Sequence, residues 1–171
     1  MTRRQWFDRR FALGLAPDVL PELIERLRGT PGRLGERMGG LSAKTLVQRP
    51  GDAWSIQEQA GHLLDLERLW HARFRELLAG VDVLREADLQ NRATWDANHN
   101  RRPLSSLLGD FRDARLTWVV ELEALHPADL TRTALHPRLR QPMSIPDLCF
   151  FVAEHDDHHL AAITALRRDA G

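Results

Sequence analysis

Cysteine, tyrosine and lysine are almost or wholly missing from this chain. A single cysteine, Cys149, excludes an internal disulfide and any cysteine-rich zinc module. It falls on an apolar helical stripe, where small core filler is expected rather than a nucleophile. Tyrosine is absent, so no phenol can act as acid or ligand. Lys44 is the one lysine among 24 basic residues, and 24 acidic residues balance them. That neutrality argues against a protein built mainly for nucleic acid or an anionic membrane. No apolar run approaches the roughly 20 residues needed to cross a bilayer. The N-terminal Met1-Thr2-Arg3-Arg4-Gln5-Trp6 is followed by no apolar signal core, so the cytoplasm is the expected compartment. Walker loop, Gly-x-Ser-x-Gly elbow, dinucleotide fingerprint and His-Glu-x-x-His are also missing.

What is present is an ordinary globular composition. The 171 residues, 43% hydrophobic and 28% charged, suit one domain with one sizeable core. Residues 1–16 form an arm carrying Arg3, Arg4, Arg9 and Arg10 with Trp6, Phe7 and Phe11. With no matching basic face elsewhere, its aromatics are expected to dock on the body or on a second subunit. Residues 17–171 form the domain itself.

Apolar spacing predicts four long helices. The first opens at Pro17-Asp18-Val19-Leu20 and buries Leu20, Leu23, Ile24 and Leu27. Gly29-Thr30-Pro31-Gly32 should kink or split it before Gly39-Gly40 ends it. The second starts at Trp54-Ser55-Ile56-Gln57-Glu58, where Ser55 and Glu58 have capping-box spacing, and stops at Gly80. A long polar connection follows, with a short helix around 87–97. The third helix spans about Leu104 to Leu125. The fourth starts at Ser144-Ile145-Pro146-Asp147 and finishes near Arg168. No stretch shows strand alternation, so the fold class is all-α, a four-helix bundle with a long crossover between helices two and three.

The chemistry concentrates in the fourth helix. Ile145, Leu148, Cys149, Val152, Ile163 and Leu166 form its apolar stripe, and His155 and His159 interrupt it. Four residues apart, these imidazoles point the same way at one level of the helix. Burying them side by side is costly unless something satisfies them. His62 lies beside the core seam of the second helix, so three imidazoles can meet inside the bundle. Three neutral imidazoles suit zinc, nickel, copper or iron and leave coordination positions free. Satisfied core histidines explain the spacing equally well. Glu58, one turn before His62, is a candidate proton acceptor; Asp156, bordering the stripe, is a candidate to orient a ligand imidazole or move a proton. His158 points about 100° away from His159 and reads as surface or outer support. His71, His99, His126 and His136 read as surface or loop residues, with His99 able to line a mouth.

Trp54-Ser55-Ile56-Gln57-Glu58-Gln59-Ala60-Gly61-His62-Leu63, followed by Glu67 and Trp70, resembles the second-helix signature of the DinB-like family. Ala153-Glu154-His155-Asp156-Asp157-His158-His159-Leu160-Ala161-Ala162-Ile163 resembles its fourth-helix signature, and the His136-Pro137-Arg138-Leu139 loop matches the approach to that helix. The likeness covers residues 17–168. It implies an up-down-down-up four-helix bundle, often dimeric. It also implies one divalent transition metal on His62, His155 and His159: zinc or nickel first, iron or manganese as further candidates. The family includes thiol S-transferases that use bacillithiol or mycothiol, and many members named only as metal-dependent hydrolases. The resemblance therefore implies metal-dependent transfer of a low-molecular-weight thiol to an electrophilic small molecule. The alternatives are metal-dependent hydrolysis of a small amide or ester, and a non-catalytic metal-binding or interaction protein. A homodimer is expected, with no nucleic acid and no membrane as partner.

Overall fold

The computed structural model describes residues 4–170. Helices α1 (Leu20–Met38), α3 (Ile56–Ala79), α5 (Leu104–Glu123) and α6 (Ile145–Asp169) are the four long elements, with α2 (Ala43–Val47) and α4 (Arg92–Asp96) as short helices in the connections. The ends of α3 and α6 follow from local chemistry. Ser55 with Glu58, and Ser144 with Asp147, form reciprocal capping boxes that satisfy first-turn amides. Gly80 closes α3 with φ 73°, a left-handed conformation that costs glycine nothing.

Side-chain pairs fix the helix directions. His62 faces His159 while Trp70 faces Phe151, so α3 and α6 are antiparallel. Glu67 pairs with Arg115 and His71 with Glu121, so α3 and α5 run parallel. Arg26 meets Glu154 whereas Arg167 reaches the carbonyls of Glu36 and Arg37, so α1 and α6 run parallel. The topology is up-down-down-up. Because α1 and α3 each pack against both α5 and α6, α1 lies diagonally opposite α3 and α5 opposite α6, while α3 and α5 are parallel neighbours. Two parallel helices in sequence need a connection as long as the bundle, which residues 80–103 supply.

Three features depart from the sequence expectation. First, α1 runs unbroken through Pro31. Proline removes the amide that would bond to the Leu27 carbonyl. Arg115 Nη1 lies 3.4 Å from that carbonyl and donates to it instead. Second, a hairpin forms where no strand is expected. Strands β1 (Ala134–His136) and β2 (Gln141–Met143) pair antiparallel, and the crossover joins them through Leu84 N–H to Leu135 O at 3.0 Å. Three residues per strand are too few to show alternation. Third, the core carries a buried ionic network: Arg115 Nη2 donates to Glu67 at 2.6 Å, Arg115 Nη1 to Asp156 at 2.5 Å, and Thr30 Oγ1 to Asp156 at 2.8 Å. These residues tie all four long helices at one level.

The aromatic arm lies along α6. Trp6 packs on Phe11, Phe151 and His155, and Arg9 pairs with Glu154. Arg3 lies outside the described residues. Cys149 is fully buried and burial pushes its thiol up, in keeping with a packing role. No helix among the described residues is long and apolar enough to cross a membrane.

Candidate metal centre

His62 from α3 and His155 and His159 from α6 come together inside the bundle. One nitrogen from each lies within 4.8 Å of the others, and all three residues are buried. The Nε2 atoms of His155 and His159 are 3.2 Å apart. Two nitrogens each about 2.1 Å from one ion take that separation at an angle near 100°. The rings are walled by indoles: Trp54 lies 4.6 Å from His62, Trp70 5.6 Å from His155 and Trp6 4.9 Å from His155, centroid to centroid.

Hydrogen bonds select the tautomers. His159 Nδ1 lies 2.6 Å from Gln59 Oε1; a carbonyl can only accept, so Nδ1 carries the proton and Nε2 is bare. Thr94 spends its hydroxyl proton on Asp65 Oδ2 at 2.8 Å, so it accepts from His62 Nδ1 at 3.0 Å. Again Nε2 is left with its lone pair. His155 Nδ1 is buried without a partner among the described residues. Burial pushes the His62 imidazole down to about 4 and His155 well below its usual value, so both are neutral at pH 7. Neutral, oriented, buried imidazoles are the donor set a borderline divalent ion requires. The residues fit a metal.

All three imidazoles line a cavity of about 520 Å³. Trp54, Trp70 and Trp95 wall it, His136 and Arg138 from the hairpin and Arg73 from α3 form another side, and Asp52 and Glu86 stand exposed at its rim. An ion on three imidazoles therefore keeps open positions facing a space large enough for a small organic molecule.

The sequence pattern of the DinB superfamily matches residues 26–163. The chain belongs to the DinB superfamily. A relative from Bacillus mycoides (strain KBAB4), whose name provisionally assigns it to the metal-dependent hydrolases, is 24% identical over 156 residues, covering 90% of this chain and 88% of its own. The structure of YfiT from Bacillus subtilis, described as a probable metal-dependent hydrolase with an unusual four-helix bundle topology, shares the fold. It matches 95% of this chain and 94% of its own with a TM-score of 0.79 at 21% identity.

In this DinB chain the two carboxylates singled out from sequence lie elsewhere. Glu58 is held by Arg49 and by its own capping box with Ser55. Burial alone would raise its carboxyl, but the bonds from Arg49 and Ser55 outweigh that and hold it low. Asp156 is bound to Arg115 and Thr30. Neither side chain lines the cavity. The carboxylate linked to a candidate ligand is Asp65, through Thr94. Burial raises the Asp65 carboxyl, and hydrogen bonds from His99 and Thr94 overcome this and keep it ionised. His99 and His136 are not surface residues: each is only 2% exposed. His99 Nε2 lies 2.9 Å from Asp65 Oδ2. The crossover is pinned there by Gln57, which donates to the carbonyls of His99 and Arg102 at 2.6 and 2.9 Å. Nothing local in residues 91–100 marks this return, because a run of polar residues is equally what a solvated loop shows. His158 is half-buried, lines the cavity and lies 5.6 Å from the Trp6 ring.

Proposed function

We propose that this DinB protein is a metal-dependent hydrolase of a small ester or amide. The observation that carries this is the convergence of three buried imidazoles, two with their tautomers fixed, on the wall of a cavity of about 520 Å³. His62, His155 and His159 would hold one divalent ion, with zinc or nickel favoured by an all-imidazole set that contains no thiolate. When bound, such an ion polarises a carbonyl and lowers the pKa of water.

The remaining work falls to the chain's own side chains. Gln59 and Thr94 lock two ligand rings. The indoles packed on the imidazoles, Trp54, Trp70 and Trp6, keep bulk water off them and offer flat apolar faces to a substrate. His158, lining the cavity next to His159, is positioned to exchange a proton with a substrate. The names carried by the two relatives favour hydrolysis over the thiol transfer that the sequence resemblance suggests.

The test combines metal analysis with a substrate panel. The purified chain should contain about one equivalent of a divalent metal, and H155A and H159A should lose it. Nitrophenyl esters and anilides, with and without an added thiol, then separate the two chemistries. Turnover that needs the metal but no thiol is the expected result. Turnover seen only when a thiol is consumed with an electrophile would replace hydrolysis by S-transfer.

A further inference from the structure

Resting on the hydrolase reading, the geometry points to a carboxylate-binding subsite at Arg138, backed by Arg73, so that the substrate is a small ester or amide bearing its own carboxylate. The argument starts from charge. The deeply buried Arg115 is closed by two carboxylates, Glu67 and Asp156. Arg73 and Arg138 line the cavity and have no carboxylate within ion-pair distance among the described residues. Arg73 is 2% exposed, yet its Nε and Nη2 donate only to the Arg85 carbonyl, at 3.1 and 2.8 Å, and its Nη1 faces His136 Nε2 at 3.0 Å. Arg138 has a buried Nη2 with no hydrogen-bond partner among the described residues. Its guanidinium carbon lies 5.3 Å from the centre of the Phe7 ring and 6.0 Å from that of Phe151, aromatic contacts that use none of the N–H donors a carboxylate needs.

Arg73 is buried and Arg138 half-buried with its Nη2 enclosed, and no carboxylate among the described residues compensates either, so an anionic group on the ligand offsets a real desolvation cost. His136 cannot compensate, because burial and the two arginines push it down to about 3 and keep it neutral. The exposed Asp52 and Glu86 at the rim are solvated. The available donors choose the anion. Arg73 is largely committed, so one guanidinium edge remains, which matches a planar monoanionic carboxylate better than a phosphate. The subsite is also near the metal centre. The Trp70 ring lies 5.7 Å from the Arg73 guanidinium and 5.6 Å from the His155 ring, so a single indole separates the cationic wall from the imidazoles. A short acyl chain spans that gap.

Binding of hexanoate, hexanamide and inorganic phosphate, followed by tryptophan fluorescence on the full chain with and without zinc, tests this. The wild type should bind hexanoate at least tenfold more tightly than hexanamide even without metal, which rules out coordination as the cause. R138Q should erase the preference, and R138K, which keeps charge but not the fork, should retain part of it; melting curves check that both variants fold. Equal binding of acid and amide by the wild type, or an undiminished preference in R138Q, overturns the subsite. Phosphate displacing hexanoate overturns the carboxylate assignment. If hexanoate preference depends on Arg138 but no ester is hydrolysed, the subsite stands and the hydrolase reading falls. If esters are hydrolysed with no advantage from a pendant carboxylate and no hexanoate preference, the hydrolase reading stands and the subsite falls.

Discussion

His99 lies flat against the backbone of Gly61. A Cβ built on residue 61 would fall 2.7 Å from the His99 Nδ1 and closer still to Cγ and Cδ2, deep inside the van der Waals envelope of the ring. The ring has little room to retreat, since it is buried and its Nε2 holds Asp65. G61A should therefore destabilise the protein by about 1–3 kcal/mol, the usual cost of overpacking. It should also weaken metal binding by displacing the Asp65 end of the His62 support. Adding H99A should restore much of the melting temperature. A single G61A variant as stable as wild type would show that the crossover adapts freely.

The His62 ring is oriented through Thr94 by Asp65, so T94V should lower metal affinity without removing a ligand. Loss of a supporting bond of this kind costs roughly 10–100-fold in affinity. D65N should do the same through Thr94 and also loosen His99. Competition with a chromogenic chelator reads the affinity. Q59L should weaken binding through His159 by a comparable factor. An unchanged affinity in both T94V and Q59L would mean that the rings are held by packing against the indoles alone.

Acid should destabilise the metal-free protein in a defined window. His62 falls to about 4 and His136 to about 3, each through burial first, and His155 is lowered well below its ordinary value. Their folded pKa values are below the unfolded value near 6.5, so between those limits the unfolded chain binds more protons and stability rises with pH. The contribution is fully present above about pH 6.5 and is lost as pH falls toward 4 and below. For His62 alone it is on the order of 3 kcal/mol. Glu58 and Asp65, whose carboxyls are depressed, add losses only at lower pH, beginning near the carboxylate range of about 4. Urea midpoints in chelator at pH 7.5 and pH 5 should differ, and H62N should shrink the difference. Equal midpoints would refute the buried neutral imidazoles.

The parts of this molecule that are local in sequence were legible there. Ser55 with Glu58 and Ser144 with Asp147 mark the ends of α3 and α6 because a capping box is written within four residues. His155 and His159 converge because one helical turn separates them. The directions of the helices, carried by the family resemblance, are those the side-chain pairs show. What escaped depends on distant partners. Pro31 does not break α1 because an arginine on α5 takes the carbonyl it frees. Glu58 looked close to His62 on a helical projection, but Arg49 from the preceding turn claims it. Asp65, Thr94 and His99 join the site only because the crossover folds back on α3, and no local pattern specifies where a long loop returns.

Arg115 makes the strongest stability prediction. Its guanidinium is fully buried and meets Glu67, Asp156 and the Leu27 carbonyl, joining α5 to α3, α6 and α1. Burial works against its charge, and the two carboxylates more than restore it. R115M leaves both carboxylates buried without a cation and should cost about 3–5 kcal/mol. It also leaves the Leu27 carbonyl with no donor, because Pro31 has no amide to offer. Burial already raises the Glu67 carboxyl, so protonation of Glu67 is the route by which the variant relieves itself. R115M should therefore be less unstable relative to wild type at pH 5.5 than at pH 8. Adding E67Q and D156N should recover part of the loss at pH 8, and P31A, which returns a donor to Leu27, should recover more. Urea denaturation of the set at both pH values measures each step. A penalty in R115M that is the same at both pH values, and unmoved by E67Q with D156N, would show that the network is held by packing rather than by charge.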